Sequence, residues 1–147
     1  MSTVEDFLSQ FLGYDFAPPR CAKFIRGHFV NYNPGKSLTL AFPVLEEYLN
    51  PAQTMQGGII SAAFDNVFGP LCLLETKTPM TTTIDINTSY HRPIMEGDTL
   101  TITATVTSKG RTKIHMVGEA YNNQNKLIAS ATTNYIILDQ IRKTSSS

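Results

Sequence analysis

The spacing of hydrophobic and polar positions divides the chain into a short amphipathic helix, a hairpin, a long apolar helix and a series of strands. In residues 3–12 the apolar side chains recur at helical intervals, with Thr3 placed to cap the helix and Gly13 to end it. Residues 14–20 include two consecutive prolines and predict a linker that leads into a sheet.

Six further segments have the composition or alternation of β-strands. Residues 23–32 and 37–44 flank Asn33-Pro34-Gly35-Lys36, a strong turn signal, and predict a hairpin. The other four predicted strands are residues 80–90, 99–107, 112–121 and 127–138. Alternation is clearest in residues 99–107, where threonines occupy every second position. Turns are predicted at residues 96–98, 108–111 and 122–125.

The segment at residues 57–75 differs because apolar side chains cover nearly its whole helical circumference. A helix that is apolar all round is buried in a protein core or in a membrane. This segment looks too short and too interrupted for a membrane span, so the rest of the fold must wrap it. Hairpin-linked strands form an antiparallel sheet. The predicted fold is therefore α+β, with a curved antiparallel β-sheet wrapped around one long central helix.

Composition narrows the functional classes. A chain of 147 residues suits a single domain over residues 1–147, with a polar tail at 143–147 that we expect to fray. Charged residues make up 16% of the chain and the formal net charge is zero, which argues against a duplex nucleic acid as partner. A small anionic ligand needs only one or two local cations and is compatible with this composition.

Two cysteines, Cys21 and Cys72, give no disulfide framework, and Cys72 lies in an apolar run typical of a buried packing residue. The first twelve residues include two acids and no basic region, so we expect no signal peptide and no membrane span. A cytoplasmic location is the default expectation.

Asp65 is the residue that most needs an explanation, since it lies in the middle of the apolar helix. An ionised carboxylate is costly to bury unless it is paired or functional. Asp65 could instead face a solvated stripe with Ser61 and Asn66, bond a neighbouring loop, or lie unreactive at a subunit interface. Spacing alone leaves all four interpretations open, and a catalytic carboxylate is one of them.

Gly57 and Gly58 open the same helix. Without side chains they leave the first backbone N–H groups accessible at the positive end of the helix dipole, which suits an oxygen that becomes negative. The alternative is a tight turn from strand to helix, in which glycine supplies only torsional freedom. A glycine pair alone does not decide between the two.

Other polar residues surround these two features. Asn50 and Gln56 precede the glycines, although an asparagine before proline is most often a turn residue. On the strand at 80–90, alternation predicts one shared face for four polar residues, Thr81, Thr83, Asp85 and Asn87.

Basic residues are sparse. Arg92-Pro93 ends a predicted strand, and Lys109 and Arg111 flank a glycine turn. Such residues are usually solvated surface charges, but they could also hold the phosphates of a nucleotide-tailed substrate. The three histidines have no metal-ligand spacing, and the chain has neither a nucleophile elbow nor a phosphate loop, so no metal or cofactor is expected.

Taken together, the order of residues resembles the hotdog-fold acyl-CoA thioesterases, in the phenylacetate-degradation-type branch of the 4-hydroxybenzoyl-CoA thioesterase superfamily. The resemblance begins at Asn50, continues through Gln56-Gly57-Gly58 and Asp65, and covers about residues 45 to 138. It extends through five shorter stretches: residues 83–87, Tyr90 with Pro93, Gly97-Asp98, Gly110-Arg111 and residues 129–132.

The resemblance implies the following roles. The Gly57 N–H, helped by Gly58, would polarise the thioester carbonyl. Asp65, reaching in from the partner subunit, would be general base or nucleophile. Asn50 would place the carbonyl or the water, and Thr83 would orient the water. Coenzyme A, as part of the substrate, would contact two stretches, Tyr90-His91-Arg92-Pro93 and Ser108-Lys109-Gly110-Arg111. Family members are dimers with shared sites, often paired into tetramers, so a homodimer and a homotetramer are expected.

One departure from the family pattern is Gln56, where histidine is usual. Glutamine donates and accepts hydrogen bonds but does not titrate, so Gln56 is not a general base. The departure keeps a rival open, a non-catalytic acyl-CoA or lipid-binding protein of the same fold. Dehydration of an acyl group on this fold usually pairs histidine with a carboxylate, and this helix has no histidine. Pocket size is expected to depend on Phe64, Phe68 and the N-terminal segment.

Overall fold

A computed structural model describes residues 3–13 and 19–139 of the chain. The N-terminal helix is the predicted one: α1 spans Val4–Leu12, the Thr3 side chain accepts a hydrogen bond from the Asp6 N–H at 3.1 Å, and Gly13 ends the helix in the left-handed region. The linker predicted at residues 14–20 lies largely outside the described residues.

A second helix, α2 at Arg20–Ile25, replaces the start of the first predicted strand. Pro19 suits the entry to a helix because its φ is already near the helical value, and the Tyr48 hydroxyl donates to the Phe24 carbonyl at the far end. Arg26 ends α2 with a positive φ of 57°. The prediction of a strand from residue 23 was therefore wrong, and the first strand begins at His28.

In the described part of the chain, six strands form one antiparallel sheet in the order β1-β2-β4-β5-β6-β3. Their bounds are β1 His28–Asn33, β2 Ser37–Pro43, β3 Thr81–Tyr90, β4 Thr99–Lys109, β5 Lys113–Tyr121 and β6 Leu127–Ile137. These match the predicted strands within a few residues, apart from β1. The predicted hairpin joins β1 to β2, and β3 crosses over to pair with β6 at the far edge.

The long helix α3 spans Gly57–Thr76 and contacts β2, β3, β4, β5 and β6. Five adjacent strands about 4.8 Å apart span roughly 19 Å, about twice the width of a helix with its side chains. A sheet that contacts one helix with all five must therefore curve around it. This is the hotdog arrangement that the resemblance implied.

The sheet does not cover α3 on all sides. Eight of its side chains are buried, but residues at helical spacing along one face remain exposed or half-buried: Gly58, Ser61, Ala62, Asp65, Asn66 and Gly69. The sheet therefore wraps α3 as predicted but leaves this stripe open, which agrees with the alternative of a solvated face shared by Ser61, Asp65 and Asn66. By length and composition alone α3 could also cross a membrane, contrary to the sequence-based expectation, yet here it is the core helix of the sheet.

Close packing between α3 and the sheet depends on one glycine. A side chain at Gly118 on β5 would bring its Cβ within 3.0 Å of ring carbons of Phe64 and Phe68. The two rings are stacked 6.0 Å apart on α3, and both are fully buried. They fill the core between helix and sheet, which fixes the height of α3 above the strands.

Candidate active site

Asp65 lies on the uncovered face of α3 and is half-buried. The Thr83 hydroxyl donates to Asp65 Oδ1 at 3.2 Å, and the Tyr135 hydroxyl donates to the same oxygen. Within the part of the chain that the structure describes, Asp65 Oδ2 has no hydrogen-bond partner. The carboxylate is therefore held by one oxygen while the other stays free.

Thr83 reaches Asp65 because β3 contains a β-bulge. Thr83 pairs with Tyr135 and Asp85 pairs with the next residue of β6, Asn134, so Ile84 is the additional residue. The bulge reverses the alternation: Thr83 points towards α3, whereas Asp85 accepts hydrogen bonds from Asn134 on the outer face. The predicted single face of polar residues on this strand was therefore wrong beyond Thr83.

Tyr135 was not predicted from the sequence. It lies on β6, 70 residues after Asp65, and only 4% of its surface is exposed. Burial, together with the hydrogen bond to Asp65, raises the pKa of the Tyr135 phenol well above its usual range, so this hydroxyl keeps its proton. Alternation in β6 places Tyr135 on the buried face, but only the packing of β6 against α3 in the folded sheet brings it next to Asp65.

Asp65 and Tyr135 lie in the wall of a cavity of about 360 Å³. Apolar side chains from four elements form most of the remaining wall, among them Val4, Leu8, Ile25, Leu40, Phe42 and Leu73. Helices α1 and α2 thus close the cavity from one side. Phe64 and Phe68 are not part of its wall, whereas the N-terminal segment is, as expected.

The N-terminal end of α3 forms a separate cleft. The Gly57 and Gly58 N–H groups have no hydrogen-bond partner among the described residues. The Tyr90 hydroxyl donates to the Gly57 carbonyl at 2.6 Å, and Ser61 Oγ is 2.8 Å from the same hydroxyl. A side chain at Gly57 would bring its Cβ to 3.1 Å from Tyr90 Cζ. Tyr90 therefore ties β3 to the first turn of the helix and leaves little space for a side chain at position 57.

Gln56 and Asn50 organise the approach to this cleft. The Gln56 side chain caps α3, with its Oε1 accepting from the Ile59 N–H at 3.1 Å. Asn50 Oδ1 accepts from the Ala52 and Thr54 N–H groups, and its Nδ2 donates to the Thr54 hydroxyl at 2.9 Å. Both side chains thus make local structural bonds, and Asn50 also lines the cleft beside Gly57.

The predicted site residues are divided among three places: the cavity at Asp65, the cleft at Gly57 and a pocket at residues 110–111. Tyr90, Arg92 and Pro93 line the cleft at Gly57, where Arg92 also donates to the Leu127 carbonyl at 3.0 Å. Gly57 and Asp65 are eight residues apart, which is about 12 Å along a helix. Residues 108–111 lie at the opposite end of α3, where Gly110 and Arg111 line a third, polar pocket. One chain therefore does not bring these three groups together.

Comparisons with known proteins agree with this architecture. The family model described as Thioesterase superfamily matches residues 52–129. Acyl-coenzyme A thioesterase 13 of Homo sapiens is 30% identical over 83 residues, which are 56% of this chain and 59% of that protein. The chain thus aligns with about three fifths of the length of this curated relative.

Two solved structures share the fold. The PaaI protein from the phenylacetic acid degradation operon of Escherichia coli is 22% identical, with a TM-score of 0.77 over 92% of this chain and 96% of that chain. A phenylacetic acid degradation-related protein of Ralstonia eutropha is 28% identical, with a TM-score of 0.77 over 89% of this chain and 99% of that chain.

Proposed function

The chain belongs to the Thioesterase superfamily, and on that basis we propose that it hydrolyses an acyl-CoA to a free carboxylic acid and coenzyme A. The observation that carries the proposal is the Asp65 carboxylate in the wall of an apolar cavity. It lies on the helix whose first two N–H groups have no hydrogen-bond partner among the described residues. A carboxylate can activate water or attack a carbonyl, and unpaired N–H groups stabilise the oxyanion that results.

In the proposed reaction the protein stabilises the oxyanion and supplies the base or nucleophile. The Gly57 N–H, assisted by that of Gly58, polarises the thioester carbonyl and binds the oxyanion of the tetrahedral intermediate. Asp65 takes a proton from the attacking water, or attacks the carbonyl itself to form an anhydride that water then cleaves. Either route breaks the carbon–sulfur bond and releases coenzyme A as its thiol.

We propose that each site combines Gly57 of one subunit with Asp65 of its partner. Two features support a homodimer. Strand β3 lies at an edge of the sheet, so no other described strand pairs with the backbone groups on its outer side. Ile84 on this strand is 48% exposed. The uncovered stripe of α3 lies beside it. Pairing of two β3 edges would place the α3 stripes of two subunits face to face.

Light scattering tests the oligomeric state. We expect the mass of two chains or, if dimers pair further, of four. The 147-residue chain has a mass of 16.3 kDa, so the monomer, dimer and tetramer are readily separated. A monomer that still hydrolyses acyl-CoA would contradict the shared site, because one chain keeps Gly57 and Asp65 apart.

The acyl group that we propose is apolar and occupies the cavity beside Asp65. Leu8→Phe should therefore reduce kcat/KM for longer acyl-CoAs about tenfold relative to acetyl-CoA, since the larger ring takes up part of the cavity. The measurement is thiol release across a series of acyl lengths. Leu12→Phe is the matched control, because Leu12 is on the same helix but does not line the cavity. An equal fall for every acyl length would contradict the assignment.

Thiol release from a panel of acyl-CoAs tests the activity itself. The proposal fails if no acyl-CoA is hydrolysed faster by the wild type than by a variant without the Asp65 carboxylate. Calorimetry on the same panel identifies the rival function: tight binding of acyl-CoA without turnover indicates a binding protein.

A further inference from the structure

We propose that Tyr135 is a positioning residue for catalysis, which holds Asp65 by Oδ1 so that Oδ2 faces the reacting atoms. The inference rests on the proposed function, because it assigns a task to Tyr135 within the thioester hydrolysis described above. Nothing in the motif around Gly57 or in the helix pattern points to this residue, which lies at the other end of the chain on β6.

The contact is built into the core rather than made by a mobile surface side chain. Tyr135 pairs with Ile114 on one side and with Thr83 on the other, so its backbone is fixed within the sheet. Its side chain is nearly fully buried, and its hydroxyl reaches the carboxylate across the gap between sheet and helix. A phenol fixed in this way loses little conformational freedom when it holds another group.

The Tyr135 phenol lies against Gly69 on α3. Gly69 lies one turn after Asp65, and a Cβ at that position would be 3.6 Å from the Tyr135 hydroxyl oxygen. That separation is an ordinary van der Waals contact, so the hydroxyl lies directly against this turn. The side chain of Asp65 is therefore bounded by Gly69 along the helix and by Tyr135 and Thr83 across it.

Both donors use the same oxygen of Asp65, and this has a chemical consequence. If each oxygen of the carboxylate accepted one structural hydrogen bond, neither oxygen would be free to react. Here the Tyr135 and Thr83 hydroxyls both donate to Oδ1, so Oδ2 keeps its lone pairs. Two donors on one atom also fix the rotation of the carboxylate plane, which a single bond would not. A base or nucleophile needs one free, oriented oxygen, and this arrangement supplies it.

Tyr135 is suited to this task because its hydroxyl keeps its proton and can donate it to Asp65. Burial and the neighbouring carboxylate raise the pKa of its phenol, so it does not ionise in the range where the enzyme would work. Its proton therefore stays in the hydrogen bond to Asp65, and the proton taken from water goes to Oδ2. A buried hydroxyl also needs a partner for stability alone, so the experiment must separate positioning from packing.

The experiment is a double-mutant cycle on acyl-CoA hydrolysis. Tyr135→Phe should lower kcat about tenfold and leave KM within about twofold, because the lost bond orients the carboxylate and does not bind substrate. In an Asp65→Asn background the same change should have almost no effect on the residual kcat, because the oriented base is already gone. A purely structural role for Tyr135 would reduce both backgrounds alike.

The matched control is Tyr32→Phe. Tyr32 also donates its hydroxyl to a carboxylate oxygen, Glu75 Oε2, at 2.5 Å, but at the β1–β2 hairpin. Its kcat should stay within about twofold of the wild type. If Tyr135→Phe behaves like Tyr32→Phe, or if its effect persists in the Asp65→Asn background, the inference is overturned.

A second measurement does not depend on turnover. The Tyr135 hydroxyl proton should exchange slowly and give a downfield NMR signal in the wild type. Asp65→Asn should move this signal upfield and speed its exchange, since a neutral acceptor binds the proton more weakly. An unchanged signal overturns the inference even if hydrolysis is observed. A changed signal in a protein that hydrolyses no acyl-CoA would instead refute the proposed function and leave the contact between the two residues established.

Discussion

Asp65→Asn is expected to lower the turnover of acyl-CoA at least about a hundredfold, the scale of losing a positioned acid–base group. The change removes the negative charge and the basic oxygen but almost no volume. An asparagine carbonyl at the position of Oδ1 can still accept from Thr83 and Tyr135. The fold and the binding of substrate should therefore persist, with KM changed only a few-fold. Thiol release under saturating substrate is the measurement.

Asp85→Asn is the matched control for this prediction. It replaces an aspartate by an asparagine in the same way, but on β3, two residues after Thr83. The bulge at Ile84 turns Asp85 to the outer face of the sheet. Its activity should stay within about twofold of the wild type. Equal losses for both variants would point to damage to β3 instead of a catalytic Asp65. Turnover retained by Asp65→Asn would remove the carboxylate from the mechanism.

Much of the fold could be predicted because its signals are local. The Thr3 cap and Gly13 end of α1, the turn at residues 33–36 and the alternation in residues 99–107 each depend on a few neighbouring residues. The curved sheet could be predicted from a non-local requirement. A long apolar helix needs a partner, and the strands that follow it are the only ones numerous enough to provide it.

The features that could not be predicted depend on pairing between distant strands. The bulge at Ile84 follows from how β3 fits β6, and without it Thr83 and Asp85 would share a face. Tyr135 approaches Asp65 because the sheet packs β6 against α3, and the pairing of β3 with β6 brings Thr83 to the same carboxylate. Neither feature has a signal in the local sequence, because the alternation of polar and apolar residues continues through both β3 and β6. Helix α2 was missed for a related reason, because its apolar residues also fit a strand.

The uncovered stripe of α3 also separates the structure from what the sequence alone indicated. Sequence alone identified Asp65 as an exception in an apolar helix, whereas in the structure it belongs to a face that the sheet leaves open. One of the alternatives weighed for Asp65 was such a face, shared with Ser61 and Asn66. That alternative and the catalytic one are compatible, because a face open in one chain is where a second chain can contribute to the site.

The backbone N–H groups at the start of α3 are the expected oxyanion donors. Gly57→Pro should reduce kcat about 100- to 1000-fold, the effect of losing one oxyanion-hole donor. Proline removes the N–H but suits the first position of a helix, where that N–H has no intrahelical partner. Gln56 already has φ −65° and ψ 136°, the extended conformation that a following proline requires. The helix should therefore form normally in this variant.

Gly57→Ala separates the lost donor from the added bulk. Both substitutions place a Cβ near Tyr90 Cζ, at 3.1 Å before any adjustment, but alanine keeps the N–H. Tyr90 is half-exposed and can shift by a few tenths of an ångström, so alanine should cost about tenfold or less. The ratio between the two variants is the contribution of the Gly57 N–H. Equal activities would place the oxyanion elsewhere.

Mixing two inactive variants tests whether Gly57 and Asp65 act across the interface. A heterodimer of Gly57→Pro and Asp65→Asn has one site with both native residues and one site with both substitutions. Random assortment of equal amounts should therefore restore about a quarter of wild-type turnover, since half of the dimers are mixed and each has one intact site. If each site instead used Gly57 and Asp65 of the same chain, every site in the mixture would have one defect and no activity would return.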